Sequence, residues 1–217
     1  MKKILIIAGP SGVGKTTVAQ RIIDKFGRYC ETRSMTTRSP RGDAHDSEYI
    51  YVTRAEFSEH YKNGALLEMM EYNGNFYGTP HSEIVRIFGE GKTPLLVLDL
   101  EGVKSFRNRA FDFSPIIFYI WDELNVIEKR LYTRDLSEPT AEKLSSFIDR
   151  VTHNRADYKE MPEIAHLFNA FVKNESIDDC AEEIVSLFEA FSVSDTVDVQ
   201  SNLQIAQSLK KMAEEKE

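Results

Sequence analysis

Four largely apolar runs occur along the chain, at residues 4–8, 95–98, 115–120 and 167–172. Each run is short and almost free of polar residues, which is typical of a strand that is covered on both faces of a sheet. The stretches between the runs carry apolar residues at helical spacing. Strands that alternate with helices predict an α/β fold, in which a mainly parallel sheet has helices on both faces.

Capping signals locate several of the predicted helices. Residues 16–26 have a helical apolar spacing, and Gly27 is placed to end that helix. Thr79 as N-cap and Pro80 at the first helical position predict another helix start. Asp122 is expected to cap a third helix, which carries arginines on one face.

Two further helices are predicted in the last third of the core. Thr140 is expected to start the first of them, and Ser176 with Asp179 forms a capping box for the second. The helix that follows Thr140 has four apolar residues that we expect to form its buried stripe: Leu144, Phe147, Ile148 and Val151.

Residues 31–79 have a different pattern and predict a small β-rich insertion between two core elements. Residues 49–52 read as a short strand, and Thr53 with Glu56 forms a capping box for a short helix. Asn73-Gly74 lies between two further strand-like stretches and predicts a hairpin with a type I′ turn.

Apolar density falls from Ser192 onward. Leu203, Ala206 and Leu209 form a weak helical stripe, followed by residues rich in Lys and Glu. We therefore expect residues 192–217 to be a loosely attached tail that is helical in part, with a partner-binding role as an alternative.

The overall composition is that of a single globular unit. The 217 residues are 41% hydrophobic and 29% charged, and the net charge of −8 argues against a nucleic acid as the main partner.

No apolar run is long enough to span a membrane. The apolar run after Met1-Lys2-Lys3 resembles a signal peptide but ends within a few residues, so a cytoplasmic protein is expected. Cys30 and Cys180 are far apart and read as reduced thiols.

The first apolar run leads into Gly-Pro-Ser-Gly-Val-Gly-Lys-Thr at residues 9–16, which fits a phosphate-binding loop at every fixed position. A strand precedes this loop and a helix follows it, as that motif requires. The glycines allow backbone N–H groups to surround an anion at the positive end of the helix dipole. Lys15 is placed to reach the β- and γ-phosphates of a nucleotide, and the Thr16 hydroxyl can ligate Mg²⁺. A glycine-rich turn with no ligand is the alternative.

A second anion site is suggested by the insertion. Arg38 and Arg41 are three residues apart in a turn-rich loop, and Tyr49 and Tyr77 can converge with them. Guanidinium groups suit phosphate oxygens, and phenol hydroxyls add neutral donors. Taken alone, two arginines in a loop are more often a solvated surface.

Several segments together resemble the guanylate kinase family, whose members transfer a phosphoryl group from ATP to GMP. These are the phosphate loop with Thr17, the stretch Thr-Thr-Arg-Ser-Pro-Arg at 36–41, Glu68, the stretch Gly-Asn-Phe-Tyr-Gly-Thr-Pro at 74–80, Asp99 before Glu101-Gly102, and the arginines between 130 and 150. The resemblance covers roughly residues 1–191 in order, and the two longer stretches are more specific than the phosphate loop.

The resemblance implies a P-loop NTPase core (1–30, 80–124 and 151–191), a GMP-binding insertion (31–79) and a helical lid (125–150). ATP, with Mg²⁺ held through Thr16, would contact the loop residues Gly9, Ser11, Gly12, Val13, Gly14, Lys15, Thr16 and Thr17. The GMP phosphate would contact Arg38, Arg41, Tyr49 and Tyr77. Guanine would be read by Ser34, Glu68, Thr79 and Asp99. Lys15, Arg130, Arg134 and Arg150 would act on the transferred phosphoryl group.

Residue chemistry supports GMP over AMP independently. Carboxylates at Glu68 and Asp99 can accept from the N1–H and N2–H₂ donors of guanine, whereas adenine presents a lone pair at N1. The nucleophile, a phosphate oxygen, is already ionised at neutral pH, so in-line transfer to GMP, and to dGMP, needs no general base. Catalysis then depends on alignment and charge neutralisation. This activity belongs to purine nucleotide metabolism.

The chain departs from the family pattern at four places. Val97 stands where an acid is usual, Glu101 replaces a glutamine, Asp135-Leu136 replaces a common glycine, and the loop before Tyr49 is one residue shorter. The arginines of the lid also have a simpler explanation, which is surface ion pairing with Glu128, Asp135 or Asp149. The competing functions are a catalytically inactive binding module of the same family and a sugar-phosphate kinase on the same core.

Overall fold

The computed structural model describes residues 2–40, 42, 46–47, 49–72, 74–107, 113–137, 139–194 and 196–215. The strands are β1 Lys3–Ala8, β2 Tyr29–Glu31, β3 Ser34–Thr36, β4 Tyr49–Tyr51, β5 Leu66–Tyr72, β6 Asn75–Pro80, β7 Thr93–Leu98, β8 Ser114–Trp121 and β9 Ala170–Lys173. The helices are α1 Lys15–Phe26, α2 Arg54–Lys62, α3 His81–Gly89, α4 Leu100–Arg107, α5 Leu124–Asp135, α6 Ala141–Ile164, α7 Ile177–Val193 and α8 Val199–Glu214.

The core is a five-stranded sheet in the order β2-β7-β1-β8-β9, with parallel pairing throughout. β1 lies at the centre, and its residues Ile4 to Ala8 are fully buried, because strands and helices cover it on every side. The predicted α/β fold with a mainly parallel sheet is confirmed. The predicted strand at 167–172 begins later, at Ala170, because Ala165–Leu167 form a 3₁₀ turn.

The insertion folds as a second, four-stranded sheet in the order β4-β3-β6-β5. Its own small core consists of Met35, Phe57 and Leu66. The capping box of Thr53 and Glu56 is present at the start of α2. β5 and β6 form the predicted hairpin, with Tyr72 opposite Asn75; Asn73 itself lies outside the described residues.

The predicted helix start at Thr79 is wrong, because β6 continues through Pro80 and α3 begins at His81. The Thr79 hydroxyl donates to Glu68 Oε1 at 2.9 Å instead of capping a helix. Both side chains are buried between the insertion and the core. The pairing is possible only because β5 and β6 lie side by side.

A cluster of charges holds the start of the insertion to α3. Glu83 is 3% exposed, and its carboxylate accepts hydrogen bonds from Arg33 Nη2 and Arg86 Nη2, each at 2.8 Å. Burial opposes the charge of Glu83, but the bonds from Arg33 and Arg86 outweigh it and lower its pKa to about 2. Arg33 lies between β2 and β3, so this cluster joins the first residues of the insertion to the core.

The helical segment 125–150 differs from the prediction in two ways. α6 extends from Ala141 to Ile164, so the predicted lid boundary at residue 150 falls inside one continuous helix. Leu144 and Ile148 are 47% and 53% exposed, which contradicts their expected place in a buried stripe. The first half of α6 contacts α5, as in the edge-on packing of Phe147 on Tyr132, and Phe147 and Val151 are partly buried against the core. The fully buried residues of α6 begin at Asn154.

Asp122 was expected to cap α5, but its carboxylate does not cap the helix, whose N-cap residue is Glu123. The buried Asp122 carboxylate instead forms an ion pair with Arg130, at 2.9 Å between Oδ2 and Nη2. A helix cap would satisfy only a backbone N–H, whereas this position also neutralises a half-buried guanidinium group.

The expected loose attachment of residues 192–217 is also wrong. α8 packs along α6, and its residues Ala206, Leu209 and Ala213 are fully buried. Asn202 donates to the carbonyl oxygens of Phe168 and Asn169, both at 3.2 Å. Small side chains on α8 allow close approach to α6, so a weak apolar stripe is sufficient for a tight contact.

Among the described residues, none of the helices has the length and apolar character needed to cross a membrane. Cys30 and Cys180 are free thiols, and Cys180 is buried in α7.

Candidate active site

The phosphate loop connects the carboxyl end of β1 to the first turn of α1, so its backbone lies at the positive end of the helix dipole. Gly12 and Gly14 have φ angles of +85° and +104°, which favour glycine. A Cβ atom at Gly12 would lie 2.6 Å from Leu131 Cγ, and one at Gly14 would lie 2.7 Å from Asn174 Nδ2. The α5 and β9–α7 segments therefore close against the back of this loop.

Side chains from distant parts of the chain bond to the loop backbone. Asn154 of α6 contacts both backbone polar groups of Ser11, and Asn174 Nδ2 donates to the Val13 carbonyl at 2.7 Å. Arg130 Nη1 also donates to the Val13 carbonyl, at 3.3 Å. Neither asparagine was identified from the sequence. Asn174 directly follows the last core strand, which is a position where parallel sheets commonly carry ligand-binding residues.

Lys15 lies within the loop and donates from Nζ to the carbonyl oxygens of Gly9 and Pro10, at 2.7 and 2.9 Å. Burial lowers the pKa of Lys15 to about 8, although Asp99 and Asp157 act in the opposite direction. Its ammonium group therefore lies where positive charge is only partly compensated. An anionic ligand in this loop would supply the missing compensation.

Asp157 is a third charged group at this site and was not identified from the sequence. Burial, followed by the charge of Asp99, raises its pKa to about 6. Asp157 lies seven residues after Arg150 on α6. Residues seven apart share a helix face, so the spacing from Arg150 was the available signal.

A cleft of about 420 Å³ opens over the loop. The structure brings most of the predicted ATP-binding residues together in its wall, along with two of the predicted lid arginines. The lining residues are Ser11, Gly12, Val13, Gly14, Lys15, Thr16, Thr17, Arg130, Arg134, Asn174 and Ile177. Gly9 contributes its carbonyl to Lys15 from beneath the cleft.

The predicted lid arginines are all ion-paired. Arg130 pairs with Asp122, and its Nη2 also donates to the Asn174 carbonyl at 3.3 Å. Arg134 and Arg150 share one acid, Asp135, at 2.7 and 3.2 Å. The bond from Arg134 is the main reason that the pKa of Asp135 is lowered.

The simpler explanation of the lid arginines was ion pairing with Glu128, Asp135 or Asp149. It is confirmed for Asp135, which pairs with Arg134 and Arg150. Glu128 pairs with Arg155 instead. Arg130 and Arg134 line the cleft in addition to making these pairs, so ion pairing does not remove them from the site.

The second predicted anion site lies in the insertion, where aromatic side chains surround Arg38. The Arg38 guanidinium lies 5.1 Å from the centre of the Tyr49 ring, and the Tyr49 and Tyr77 rings are 6.2 Å apart. Three of the four predicted phosphate-binding residues therefore lie together. Arg41, the fourth, lies outside the described residues.

Tyr51 and Asp46 also belong to this cluster and were not predicted. Arg38 Nη2 donates to the Tyr51 hydroxyl at 3.1 Å and lies 3.6 Å from Asp46. The Tyr51 hydroxyl in turn donates to Asp46. This acid and phenol fix the direction of the Arg38 guanidinium.

The predicted guanine-reading residues come from both lobes. Glu68 and Thr79 are bonded to each other in the insertion sheet, and Ser34 lies on β3 opposite Tyr49. Asp99 follows the end of β7 and accepts a hydrogen bond from Gly102 N at 2.7 Å, at the start of α4. Because α4 packs against β5, Asp99 and Glu68 lie on neighbouring elements at the junction of the lobes.

Comparison with known proteins finds similarity to guanylate kinases. The family model described as guanylate kinase matches residues 1–191. The guanylate kinase of Lactobacillus acidophilus is 32% identical over 193 residues, covering 88% of this chain and 90% of that protein. The guanylate kinase of Trichodesmium erythraeum is 31% identical over 183 residues, covering 84% of this chain and 93% of that protein.

The fold has a solved counterpart. The crystal structure of guanylate kinase from Anaplasma phagocytophilum superposes with a TM-score of 0.58 at 24% identity, covering 87% of this chain and 85% of that one. At this identity the likeness supports the fold alone. The match of the family model over residues 1–191, together with relatives above 30% identity, shows that this chain belongs to the guanylate kinase family.

Proposed function

We propose that the protein transfers the γ-phosphoryl group of ATP to GMP, and to dGMP, by in-line displacement, and so acts in purine nucleotide metabolism. The observation that carries this proposal is a complete phosphate loop that shares one cleft with Arg130 and Arg134. Its second support is the cluster of Arg38, Tyr49 and Tyr77 in the insertion of a chain that belongs to the guanylate kinase family.

ATP would bind with its phosphates in the loop formed by residues 9–17. Backbone N–H groups of the loop donate to the phosphate oxygens, and Lys15 neutralises charge on the β- and γ-phosphates. Because burial lowers the pKa of Lys15 to about 8, the ammonium gains stabilisation when the phosphates arrive. Ile177 also lines the cleft and would offer an apolar surface for the nucleotide.

GMP would bind in the insertion. Its phosphate is held by Arg38, Arg41, Tyr49 and Tyr77, and its base by Ser34, Glu68, Thr79 and Asp99. Glu68 is 4% exposed, so its carboxylate has little access to solvent for compensation. A base without the N1–H and N2–H₂ donors would offer that carboxylate fewer hydrogen bonds than guanine does, and this costs binding energy.

Mg²⁺ would enter with ATP and be held by the Thr16 hydroxyl, which lines the cleft. The surroundings fit such an ion, because Mg²⁺ prefers oxygen ligands and the negative charges of Asp99 and Asp157 act on Lys15 next to Thr16. When bound, Mg²⁺ supplies positive charge to the β- and γ-phosphate oxygens.

In the transfer, a phosphate oxygen of GMP forms a bond to the γ-phosphorus of ATP while the bond from that phosphorus to the β–γ bridging oxygen breaks. GDP and ADP are the products. The attacking oxygen is ionised at neutral pH, so the protein has to align the two phosphates and neutralise their charge. Lys15, Arg130, Arg134 and Arg150 would carry that positive charge, and closure of the lid would exclude water.

The proposal is tested by measuring ADP release from ATP with one acceptor at a time: GMP, dGMP, AMP, UMP or ribose phosphate. We expect turnover with GMP and dGMP and at least about 10⁴-fold lower kcat/KM with AMP, from the mismatch at Glu68. Equal rates with AMP or UMP would overturn the assignment of the guanine-reading residues. Binding of GMP without turnover of any acceptor would indicate an inactive binding module.

A further inference from the structure

Asn154 makes two hydrogen bonds to a single residue of the phosphate loop. Its Oδ1 accepts from Ser11 N at 2.8 Å, and its Nδ2 donates to the Ser11 carbonyl at 2.8 Å. Asn154 is 2% exposed and lies on α6, 143 positions away in the chain. It lies behind the loop, whereas Ser11 itself lines the cleft.

These bonds set the direction of two peptide planes. In a trans peptide, the C=O and N–H groups lie in the peptide plane and point in opposite directions within it. Because the Ser11 carbonyl points to Asn154, the N–H of Gly12 in the same plane points away from α6 and toward the cleft that Gly12 lines. The plane before it is held at both ends, by Asn154 at Ser11 N and by Lys15 at the Pro10 carbonyl.

We propose that Asn154 is a positioning residue for ATP binding, which holds the phosphate loop in the shape that directs its N–H groups at the phosphates. This rests on the proposed function, in which the loop binds ATP. Asn154 does not touch the nucleotide and acts only through Ser11 and Gly12. Asn154 lies four residues after Arg150 on the same face of α6. One helix therefore carries both a predicted lid arginine and the asparagine that holds the phosphate loop.

No other side chain type of similar size provides the same pair of bonds. An apolar residue would leave Ser11 N and the Ser11 carbonyl buried without partners, which is costly. An aspartate could accept from Ser11 N, but its second oxygen would face the Ser11 carbonyl and add negative charge behind the phosphate site. Asn174, in contrast, uses only Nδ2 on the loop, and its Oδ1 is unpartnered among the described residues.

The test compares direct binding of ATP and of GMP, by calorimetry, for the full chain and three variants. Asn154→Ala removes both bonds, and Asn154→Asp keeps the size and one bond. Asn202→Ala is the matched control, because Asn202 is also a buried helix asparagine that bonds two backbone groups, the carbonyls of Phe168 and Asn169. Circular dichroism and thermal unfolding report whether each variant is folded.

We expect Asn154→Ala to weaken ATP binding about 10- to 100-fold, as for one or two buried groups left unpaired, and to change GMP affinity less than about twofold. Asn154→Asp should weaken ATP binding at least as much, and it carries the test if the alanine variant does not fold. Asn202→Ala should lower the unfolding temperature without changing ATP affinity.

Two results would overturn the proposal: ATP affinity that is unchanged in both Asn154 variants, or a loss of ATP and GMP affinity in equal measure, as general destabilisation would cause. Because ATP binding is measured without turnover, the outcome does not depend on which acceptor is phosphorylated. Failure of the proposed function would appear in the acceptor assay, and failure of this inference would appear in the binding titration.

Discussion

Two charged regions of the molecule differ in how the protein treats its ionisable groups. Around the phosphate loop, burial lowers the pKa of Lys15 to about 8, and burial with the charge of Asp99 raises the pKa of Asp157 to about 6. At the junction between insertion and core, Glu83 is buried too, but bonds from Arg33 and Arg86 lower its pKa to about 2. The surroundings of the phosphate loop therefore disfavour the charged forms of Lys15 and Asp157, whereas the junction favours the charged form of Glu83.

This difference distinguishes charges that can bind a ligand from charges that stabilise the fold. A buried charge whose partners are already complete stabilises the fold and has nothing left to bind. A buried charge that remains under-compensated costs stability, and it gains free energy when a ligand of opposite charge arrives. By this criterion the surroundings of Lys15 are prepared for an anion, whereas the surroundings of Glu83 hold two lobes together.

The largest expected effect is at Lys15. Lys15→Met should lower kcat at least about 10³-fold, which corresponds to about 4 kcal/mol, because no other group in the loop can place a cation on the transferred phosphoryl group. GMP affinity should be unchanged, because the cluster around Arg38, which we propose binds the GMP phosphate, is in the insertion. Steady-state kinetics and calorimetry measure the two quantities.

Lys25→Met is the control for this variant. Lys25 lies on the same helix, is exposed and pairs with Glu182 on the surface. Its replacement should leave kcat within about twofold, since exposed ion pairs contribute little. If Lys15→Met abolished GMP binding as well as turnover, the separation of the two anion sites would be wrong.

The next effect in size is at Glu83. Glu83→Gln should lower the free energy of unfolding by about 2 kcal/mol at pH 7, because a buried charged acceptor for two arginines is lost. The folded pKa of about 2 lies below the unfolded value of 4.5. The unfolded state therefore binds more protons in that interval, and the advantage of the natural protein is lost as the pH falls from 4.5 to 2.

Urea denaturation across this pH range measures that loss. Glu90→Gln is the matched control, because Glu90 bonds the same Arg86 at 2.7 Å but is exposed. It should change stability by less than about 0.5 kcal/mol. Equal effects of the two substitutions would show that burial of Glu83 has no energetic consequence.

The smallest expected effect has the opposite sign and is at Asp157. Asp157→Asn should raise the free energy of unfolding by about 1 kcal/mol at pH 7.5, because it removes a half-buried charge near Asp99. The folded pKa of about 6 is above the unfolded value of 3.8, so the folded state binds more protons between them. Stability of the natural protein therefore falls as the pH rises from 3.8 to 6.

The gain from Asp157→Asn should accordingly disappear at pH 4, as measured by denaturation at the two pH values. Asp149→Asn, an exposed change on the same helix, serves as control and should show no such pH dependence. If Asp157→Asn were less stable than the natural protein at pH 7.5, the charge of Asp157 would stabilise the fold, as that of Glu83 does. The proposed difference between the two regions would then not hold for Asp157.

The sequence alone determined the features that depend on neighbours within a few residues. The apolar runs of β1, β7 and β8, the phosphate loop and the Thr53–Glu56 capping box could be predicted because each is signalled by a pattern of a few consecutive residues. The grouping of Arg38, Tyr49 and Tyr77 was suggested by the chemistry of guanidinium and phenol groups, and family resemblance supported it.

Tertiary structure decided the features that depend on which elements meet. Thr79 has the same local signal as a helix cap, yet it bonds Glu68 because β5 and β6 pair. Ala206 and Leu209 form a weak stripe, yet they are buried because α6 lies opposite. Asn154 reaches Ser11 across 143 positions only because α6 packs behind the phosphate loop. The periodicity of apolar residues predicts which face of a helix is buried, but it does not predict which element packs against that face.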